Sequence, residues 1–93
     1  MSLEFEWDPR KAGSNSRKHK VSFEEAVSVF ADPLSSTISD PVHSHDEDRY
    51  AMIGSSPKGR LLVVVFTERG GRIRIISARR ATARERKDYE EGT

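Results

Sequence analysis

The sequence LLVVVF at positions 61–66 is the longest continuously apolar run in this chain of 93 residues. Six consecutive apolar residues bounded by turn-forming sequence are typical of the central strand of a β-sheet. The run is much shorter than the roughly 20 residues that a membrane-spanning helix needs. The sequence therefore predicts a sheet built around this strand, in a small protein with a thin core.

Further strands are predicted on both sides of this run. The segment LEFEW alternates apolar and acidic residues near the start of the chain, and an alternating segment RIRIIS follows a Gly-Gly turn near its end. Such alternation indicates half-buried strands, and Gly-rich or Pro-containing segments between them indicate hairpin turns. The predicted strands cover residues 3–7, 34–39, 49–54, 61–66 and 72–77.

Three helices are predicted from their capping signals. A side chain that accepts a hydrogen bond from the first turn, followed by Pro or by Glu three residues later, is typical of a helix start. These signals occur at Asp8-Pro9, at Ser22 with Glu25, and at Thr82 with Glu85. The first helix is expected to reach about Lys18 and to bury mainly Ala12. The second buries a stripe at helical spacing, with Phe23, Ala26, Val27 and Phe30, and ends at Asp32-Pro33.

The element order is a strand, two helices, an antiparallel meander and a C-terminal helix. Helices and strands that are segregated along the chain favour the α+β class. The sequence contains neither an internal repeat nor a linker, so we expect residues 1–93 to form a single domain. The C-terminal helix has only Ala83 and Tyr89 to bury, so it should be loosely docked or contact a partner.

The charges are nearly balanced in number but unevenly distributed. Lys and Arg total 16 and Asp and Glu total 15, which gives a net charge of +1. Residues 10–20 carry five basic side chains and no acidic one, and residues 69–87 carry eight against one acidic residue. Residues 32–48 carry five acidic side chains. Two basic blocks of this kind favour an anionic partner, with the acidic loop placed away from the arginine surface.

The first predicted helix carries a polar stripe on one face. Lys11, Asn15, Lys18 and His19 fall at i, i+4, i+7 and i+8. The stripe is either a solvated surface or a phosphate-binding surface with a titratable group at its end. Histidine titrates near neutral pH and can transfer a proton.

The last predicted strand carries a cluster of arginines. Arg72 and Arg74 lie on one face, with isoleucines on the other, and Arg79 and Arg80 are expected just after the strand. If helices cover the isoleucine face, the arginines line an open face. They are either solvated arginines at a sheet edge or phosphate ligands, since the guanidinium fork matches phosphate geometry.

Other common chemistries find little support. The chain has no cysteine, which excludes disulfides and thiol nucleophiles. The segment HSHDED at positions 43–48 contains metal-ligand types, but its spacing matches no closed site, so we expect no metal. No nucleotide-cradling glycine loop is present, and we expect no other cofactor.

Two separated motifs resemble the BrnT-type toxins. The N-terminal motif comprises Phe5 to Asp8, Lys11, Asn15, Lys18-His19 and residues 21–26, and the C-terminal one comprises residues 74–79 with Ala81, Glu85, Arg86 and Tyr89-Glu90. Arg49-Tyr50 and Ile53-Gly54 resemble the middle strand of the family. One departure is Lys20, where a glycine helix cap is expected. Lysine there must either adopt a left-handed conformation or end the helix differently.

The resemblance implies a fold and a function. BrnT-type proteins are ribonuclease toxins of bacterial type II toxin–antitoxin pairs, with a RelE-like fold, and they arrest translation. A BrnA-type antitoxin neutralises them, and operator DNA is bound only through the complex. The sequence is therefore interpreted as a RelE-like endoribonuclease. Because no secretory signal precedes the first strand, a cytoplasmic location is expected.

Metal-independent RNA cleavage needs a base for the ribose 2′-hydroxyl, cations for the phosphorane and an acid for the leaving oxygen. For charge stabilisation the candidates are Arg79, Arg74 and Lys11, of which Arg79 is preferred. The candidates for the base are His19 and Glu85, and those for the acid are Lys18 and Tyr89. The candidate RNA-binding residues are Lys11, Asn15, Arg72, Arg74 and Arg80.

Two other functions fit the same residues. The chain can be a non-enzymatic RNA- or DNA-binding module that uses these arginines. It can also be an inactive toxin relic that only binds its antitoxin.

Overall fold

The computed structural model describes residues 3–38 and 49–92. The described elements are β1 (Phe5–Glu6), α1 (Pro9–His19), α2 (Phe23–Ser28), a 3₁₀ turn (Val29–Ala31), β2 (Ser36–Ile38), β3 (Arg49–Ser55), β4 (Leu61–Arg69), β5 (Arg72–Arg80) and α3 (Ala83–Glu91). The acidic loop at 40–48 lies outside the described residues. The same holds for the segment at 43–48 with metal-ligand types, and so for the expectation that the loop lies away from the arginine surface.

The five strands form one mixed sheet in the order β1-β5-β4-β3-β2. Neighbouring strands from β2 to β5 are antiparallel, whereas β1 pairs in parallel with β5. The α+β class is confirmed, and the sheet as a whole is mixed because β1 adds a parallel strand to the antiparallel strands β2 to β5. A parallel neighbour requires a crossover of a dozen or more residues, and the two helices and three further strands between β1 and β5 provide it.

All three predicted helix starts are confirmed, each by a side-chain cap. Asp8 accepts from the Arg10 amide, Ser22 from the Glu25 amide, and Thr82 from the Glu85 amide. Glu85 also returns a bond to the Thr82 amide, which completes a capping box. Local hydrogen bonding therefore fixes where each helix begins.

The two faces of the sheet carry different helices. Alternate residues of β4, including Leu62 and Val64, pack with Phe23 and Ala26 of α2 and with Ala12 of α1. The intervening residues, including Val63, form a second cluster against which Tyr89 of α3 packs. Thus α1 and α2 cover one face, and α3 lies on the other.

The strands are longer than the sequence pattern predicts, apart from β1 and β2. The strand expected at 61–66 extends to Arg69, and the one expected at 72–77 extends to Arg80. The continued pairing of these two strands across their hairpin accounts for the extension. None of the described helices is long and apolar enough to cross a bilayer.

Candidate active site

A shallow groove lies between α1 and the edge of β5. β1 pairs only with Ile73 and Arg74, so the edge of β5 beyond Arg74 faces α1 instead of a strand. The groove has a volume of 320 Å³. Its lining residues are Arg10, Lys11, Ser14, Asn15, Lys18, His19, Ile76 and Ser77.

Three cations line this groove without a carboxylate partner in the described part of the chain. Within residues 3–38 and 49–92, Arg10, Lys11 and Lys18 make no ion pair, and all three are exposed. His19 ends α1 and is half-buried at the same groove. The groove therefore combines positive charge with an imidazole, which suits it to a phosphodiester next to a ribose hydroxyl.

A β-bulge determines which face Arg79 occupies. Val65 pairs with Ser77 but Phe66 pairs with Ile75, so Ile76 has no partner on β4. An extra residue reverses the alternation of side chains beyond it. Ser77 and Arg79 consequently lie opposite Val65 and Val63, on the same face as α3.

Arg79 is not among the residues that line the groove, although it belongs to the same strand as Ser77. Ser77 lines the groove, and Arg79 is two residues further along the same strand face. At about 3.3 Å per residue, these two positions are about 6.6 Å apart along the strand. The expectation that Arg79 follows the strand is wrong, because it is part of β5 and is held by the ladder.

The Arg79 guanidinium is held in a bidentate contact by Glu85. Both Nη atoms lie 2.8 Å from the Glu85 carboxylate oxygens, and the Arg79 side chain is 40% exposed. The bonds from Arg79, and secondarily that from the Thr82 backbone, lower the pKa of Glu85 to about 2. A carboxylate this acidic is a weak base near neutral pH. The structure thus places Glu85 as a support for Arg79 and for the α3 cap.

The Glu85 contact predicts a loss of stability in acid. The pKa of Glu85 is about 2 when folded and near 4.5 when exposed. Its contribution is therefore present above about pH 4.5 and is lost as the pH falls towards 2. Glu85→Gln keeps a side chain that can close the capping box but does not ionise. Urea unfolding at pH 6 and pH 3 should show that the free energy of unfolding falls less between these two pH values in Glu85→Gln than in wild type. Glu91→Gln, at an exposed position on the same helix, should behave like wild type.

Tyr89 anchors α3. Its hydroxyl donates to Asp32 Oδ2 at 2.8 Å, and the same oxygen accepts from the Ser55 amide at 2.8 Å. Burial and this bond raise the pKa of Tyr89, while the bonds from the Ser55 and Leu34 amides lower that of Asp32. The phenolic proton of Tyr89 is therefore already donated to Asp32 in a hydrogen bond. This geometry favours an anchoring role for Tyr89 over that of the acid.

Asn15 is a structural residue in this fold, not an exposed contact. Its side chain is buried, with the residue 7% exposed. Nδ2 donates to the carbonyls of Val21 and Ala78 at 3.0 and 2.8 Å, and Oδ1 accepts from the Ala78 amide at 3.0 Å. Both amide hydrogens are used, which favours a structural role for Asn15 over the predicted RNA contact. The residue closes the free edge of β5 instead.

The remaining predicted arginines, Arg72, Arg74 and Arg80, do not line the groove. Arg74 pairs with Glu6 at 3.0 Å, and Arg72 pairs with Glu4 at 3.2 Å. The acidic residues of β1 therefore partly neutralise both arginines. Arg80 is exposed opposite Leu62, on the face that α1 and α2 cover. The bulge thus separates Arg80 from the other three arginines.

A buried ion pair was not predicted from the sequence. Glu25 of α2 pairs with Arg60, which precedes β4, and also accepts from Ser56 at 2.7 Å. Glu25 was assigned only to a capping box, and no local spacing connects it with a residue 35 positions away. Among the described residues, no three His, Cys, Asp or Glu side chains are grouped as metal ligands.

The chain matches a known protein family. A family model described as "Ribonuclease toxin, BrnT, of type II toxin-antitoxin system" matches residues 7–85. The chain belongs to this BrnT family. The match includes β5 with Arg79, the polar stripe of α1 and Glu85. Membership of a type II toxin–antitoxin family implies an RNA substrate and an antitoxin partner.

The fold is shared with a solved toxin. The crystal structure of the Brucella abortus ribonuclease toxin BrnT superposes with a TM-score of 0.63 at 23% sequence identity. The similarity covers 87% of this chain and 99% of that one. At this identity the likeness establishes the BrnT fold. No curated protein matches the chain.

Proposed function

We propose that this BrnT family member is a metal-independent endoribonuclease that cuts RNA at the groove between α1 and β5. The observation that carries the proposal is the set of cations around His19 that make no ion pair with any residue the structure describes. His19 removes the proton from a ribose 2′-hydroxyl, which attacks the adjacent phosphorus. Lys18 protonates the departing 5′-oxygen. The products are a 2′,3′-cyclic phosphate and a 5′-hydroxyl.

The surrounding residues have supporting roles in this mechanism. Arg79 stabilises the phosphorane from the end of β5, and Lys11 binds the RNA backbone. Arg72, Arg74 and Arg80 contribute the outer electrostatic field. Glu85 and Tyr89 act on α3 and its contact with Arg79, and are not part of the proton transfer.

The biological setting follows the family. We propose that residues 1–93 form a single RelE-like toxin domain that acts in the cytoplasm and inhibits translation by cutting RNA. A BrnA-type antitoxin is the proposed neutralising partner, and the complex with it is proposed to bind operator DNA.

Cleavage in the presence of a chelator tests this function. Purified protein should cut a defined RNA at the same rate with and without EDTA, leaving cyclic phosphate and 5′-hydroxyl ends. Removing a general base lowers rates by roughly 10²–10⁴-fold, so His19→Ala should lose cleavage to that extent. The readouts are gel electrophoresis and end-group analysis. Arg17→Ala is the matched control, because Arg17 is an exposed cation of α1 outside the groove.

The rival functions predict other results. A non-enzymatic binding module retains RNA with strong salt dependence but releases no product. An inactive relic neither cuts nor retains RNA. Cleavage that EDTA abolishes, or that survives His19→Ala undiminished, would contradict the proposed mechanism.

A further inference from the structure

The end of α1 has an unusual backbone conformation. Lys20 follows His19 and adopts φ 58° and ψ 33°, and it is the one non-glycine residue with positive φ among those described. A side chain in the left-handed region is disfavoured by a clash between Cβ and the carbonyl oxygen. Such a conformation persists only when the surroundings impose it. The neighbours of Lys20 should therefore include the groups that impose it.

Two carbonyl oxygens, at this strained residue and at the one after it, are held by side chains. Arg60 Nη2 donates to the Lys20 carbonyl at 3.0 Å, and Asn15 Nδ2 donates to the Val21 carbonyl at 3.0 Å. Lys20 also donates its own amide to the Ser16 carbonyl at 3.0 Å. The segment from His19 to Val21 is thus fixed from α1 and from the start of β4.

Arg60 is itself oriented by a buried carboxylate. Its Nε lies 2.9 Å from Glu25 Oε2, and its Nη2 contacts Glu25 Oε1. The Glu25 side chain is 4% exposed and accepts a further bond from Ser56. The bond from Arg60 lowers the pKa of Glu25, which keeps the pair ionised. Only a forked guanidinium can contact this carboxylate and the Lys20 carbonyl together.

We propose that Arg60, held by Glu25 and Ser56, is a positioning residue that fixes the left-handed end of α1 and thereby holds the His19 imidazole at the RNA groove. His19 is the last residue of α1 and directly precedes Lys20, whose carbonyl Arg60 binds. The catalytic meaning of this contact rests on the proposed function. Its effect on the conformation of His19 does not.

A purely stabilising role fits the pair less well. A buried ion pair is often no more stabilising than apolar side chains of the same size, because both charges lose hydration. In this protein the guanidinium has a second partner, the carbonyl of the strained residue Lys20. Orientation of the α1 end explains why Arg60 contacts both Glu25 and the Lys20 carbonyl, whereas stability alone explains only its contact with Glu25.

Four proteins test the proposal. They are wild type, Glu25→Gln with Arg60→Met, Lys20→Gly, and the combination of all three changes. The double change replaces the ion pair by uncharged side chains of similar size and leaves no unpaired buried charge. Glycine adopts positive φ without a side-chain clash, so Lys20→Gly should make the α1 end independent of Arg60.

Three measurements separate positioning from stability. The single-turnover cleavage rate should fall about tenfold in Glu25→Gln with Arg60→Met, since small displacements of a catalytic group have large effects. Affinity for an RNA carrying a 2′-deoxy residue at the cut site should stay within about twofold. The His19 Cε1–H nuclear magnetic resonance signal should shift or broaden. The protein with all three changes should show nearly the same cleavage rate and His19 signal as Lys20→Gly alone.

The outcomes are distinguishable. An equal rate loss on both backgrounds, or a loss explained by the unfolded fraction in a thermal melt, overturns the positioning role. A His19 signal that is the same in all four proteins also overturns it, whatever the cleavage assay gives. If wild type does not cut RNA but the His19 signal moves and is restored by Lys20→Gly, the proposed function fails and the contact is supported.

Discussion

Arg79→Ala is expected to abolish growth arrest and to lower RNA cleavage by roughly 10²–10³-fold, the usual effect of removing one group that stabilises transition-state charge. Arg79 is held at the end of β5 by the strand ladder and by the bidentate contact with Glu85. Its guanidinium is pre-oriented and 40% exposed, so a phosphate can reach it. Growth after expression of the chain alone and cleavage in vitro measure the two effects.

The fold should survive this change. Glu85 keeps its bonds with the Thr82 backbone and side chain, so α3 retains its capping box. Circular dichroism should therefore show the wild-type secondary structure in Arg79→Ala. Arg79→Lys retains the charge but not the fork and should be intermediate. Arg79→Ala protein that remains fully toxic would show that Arg79 has no catalytic role.

The position of Arg79 illustrates a limit of strand periodicity. The segment RIRIIS alternates correctly up to Ile75, and the next isoleucine gives no sign that it is an extra residue. Simple alternation continued through position 76 places Arg79 on the isoleucine face, opposite to where it lies. The register with β4 reveals the bulge. Pairing between distant segments therefore decides the face of the principal charged residue.

Local signals in the sequence predicted where the helices begin, but not how β1 pairs. Caps at Asp8, Ser22 and Thr82 depend on bonds within three residues, so the sequence contains all the information they need. The parallel pairing of β1 depends instead on a contact between Phe5 and Ile73. A strand of two residues carries no pattern that specifies its partner.

The charge pattern was only partly informative about the site. The sequence showed two basic blocks, but not that Glu4 and Glu6 of β1 lie against the arginines of β5. The cations of α1 have no such acidic neighbour in the described part of the chain. Near-neutral total charge is therefore compatible with a positive groove, and the groove is at α1 rather than along the whole arginine strand.

The burial of Asn15 also could not be predicted from its neighbours in the sequence. At helical spacing it belongs with Lys11 and Lys18, and nothing local indicates that it is buried. Its partner Ala78 is 63 residues away. The expected RNA contact and the observed structural role predict different behaviour for the same substitution.

Asn15→Ala is expected to destabilise the fold by about 3 kcal/mol, because the buried Ala78 amide and the carbonyls of Ala78 and Val21 lose their partner. That is a large part of the roughly 5–15 kcal/mol that stabilises a typical domain. Urea unfolding measures the loss, and Ser16→Ala, at an exposed position on the same helix, should change stability by less than about 0.5 kcal/mol. Asn15→Asp retains an acceptor for the Ala78 amide but cannot donate to either carbonyl, so it too should be strongly destabilised. If Asn15→Ala is instead as stable as wild type but binds RNA more weakly, Asn15 contacts RNA and the structural role is contradicted.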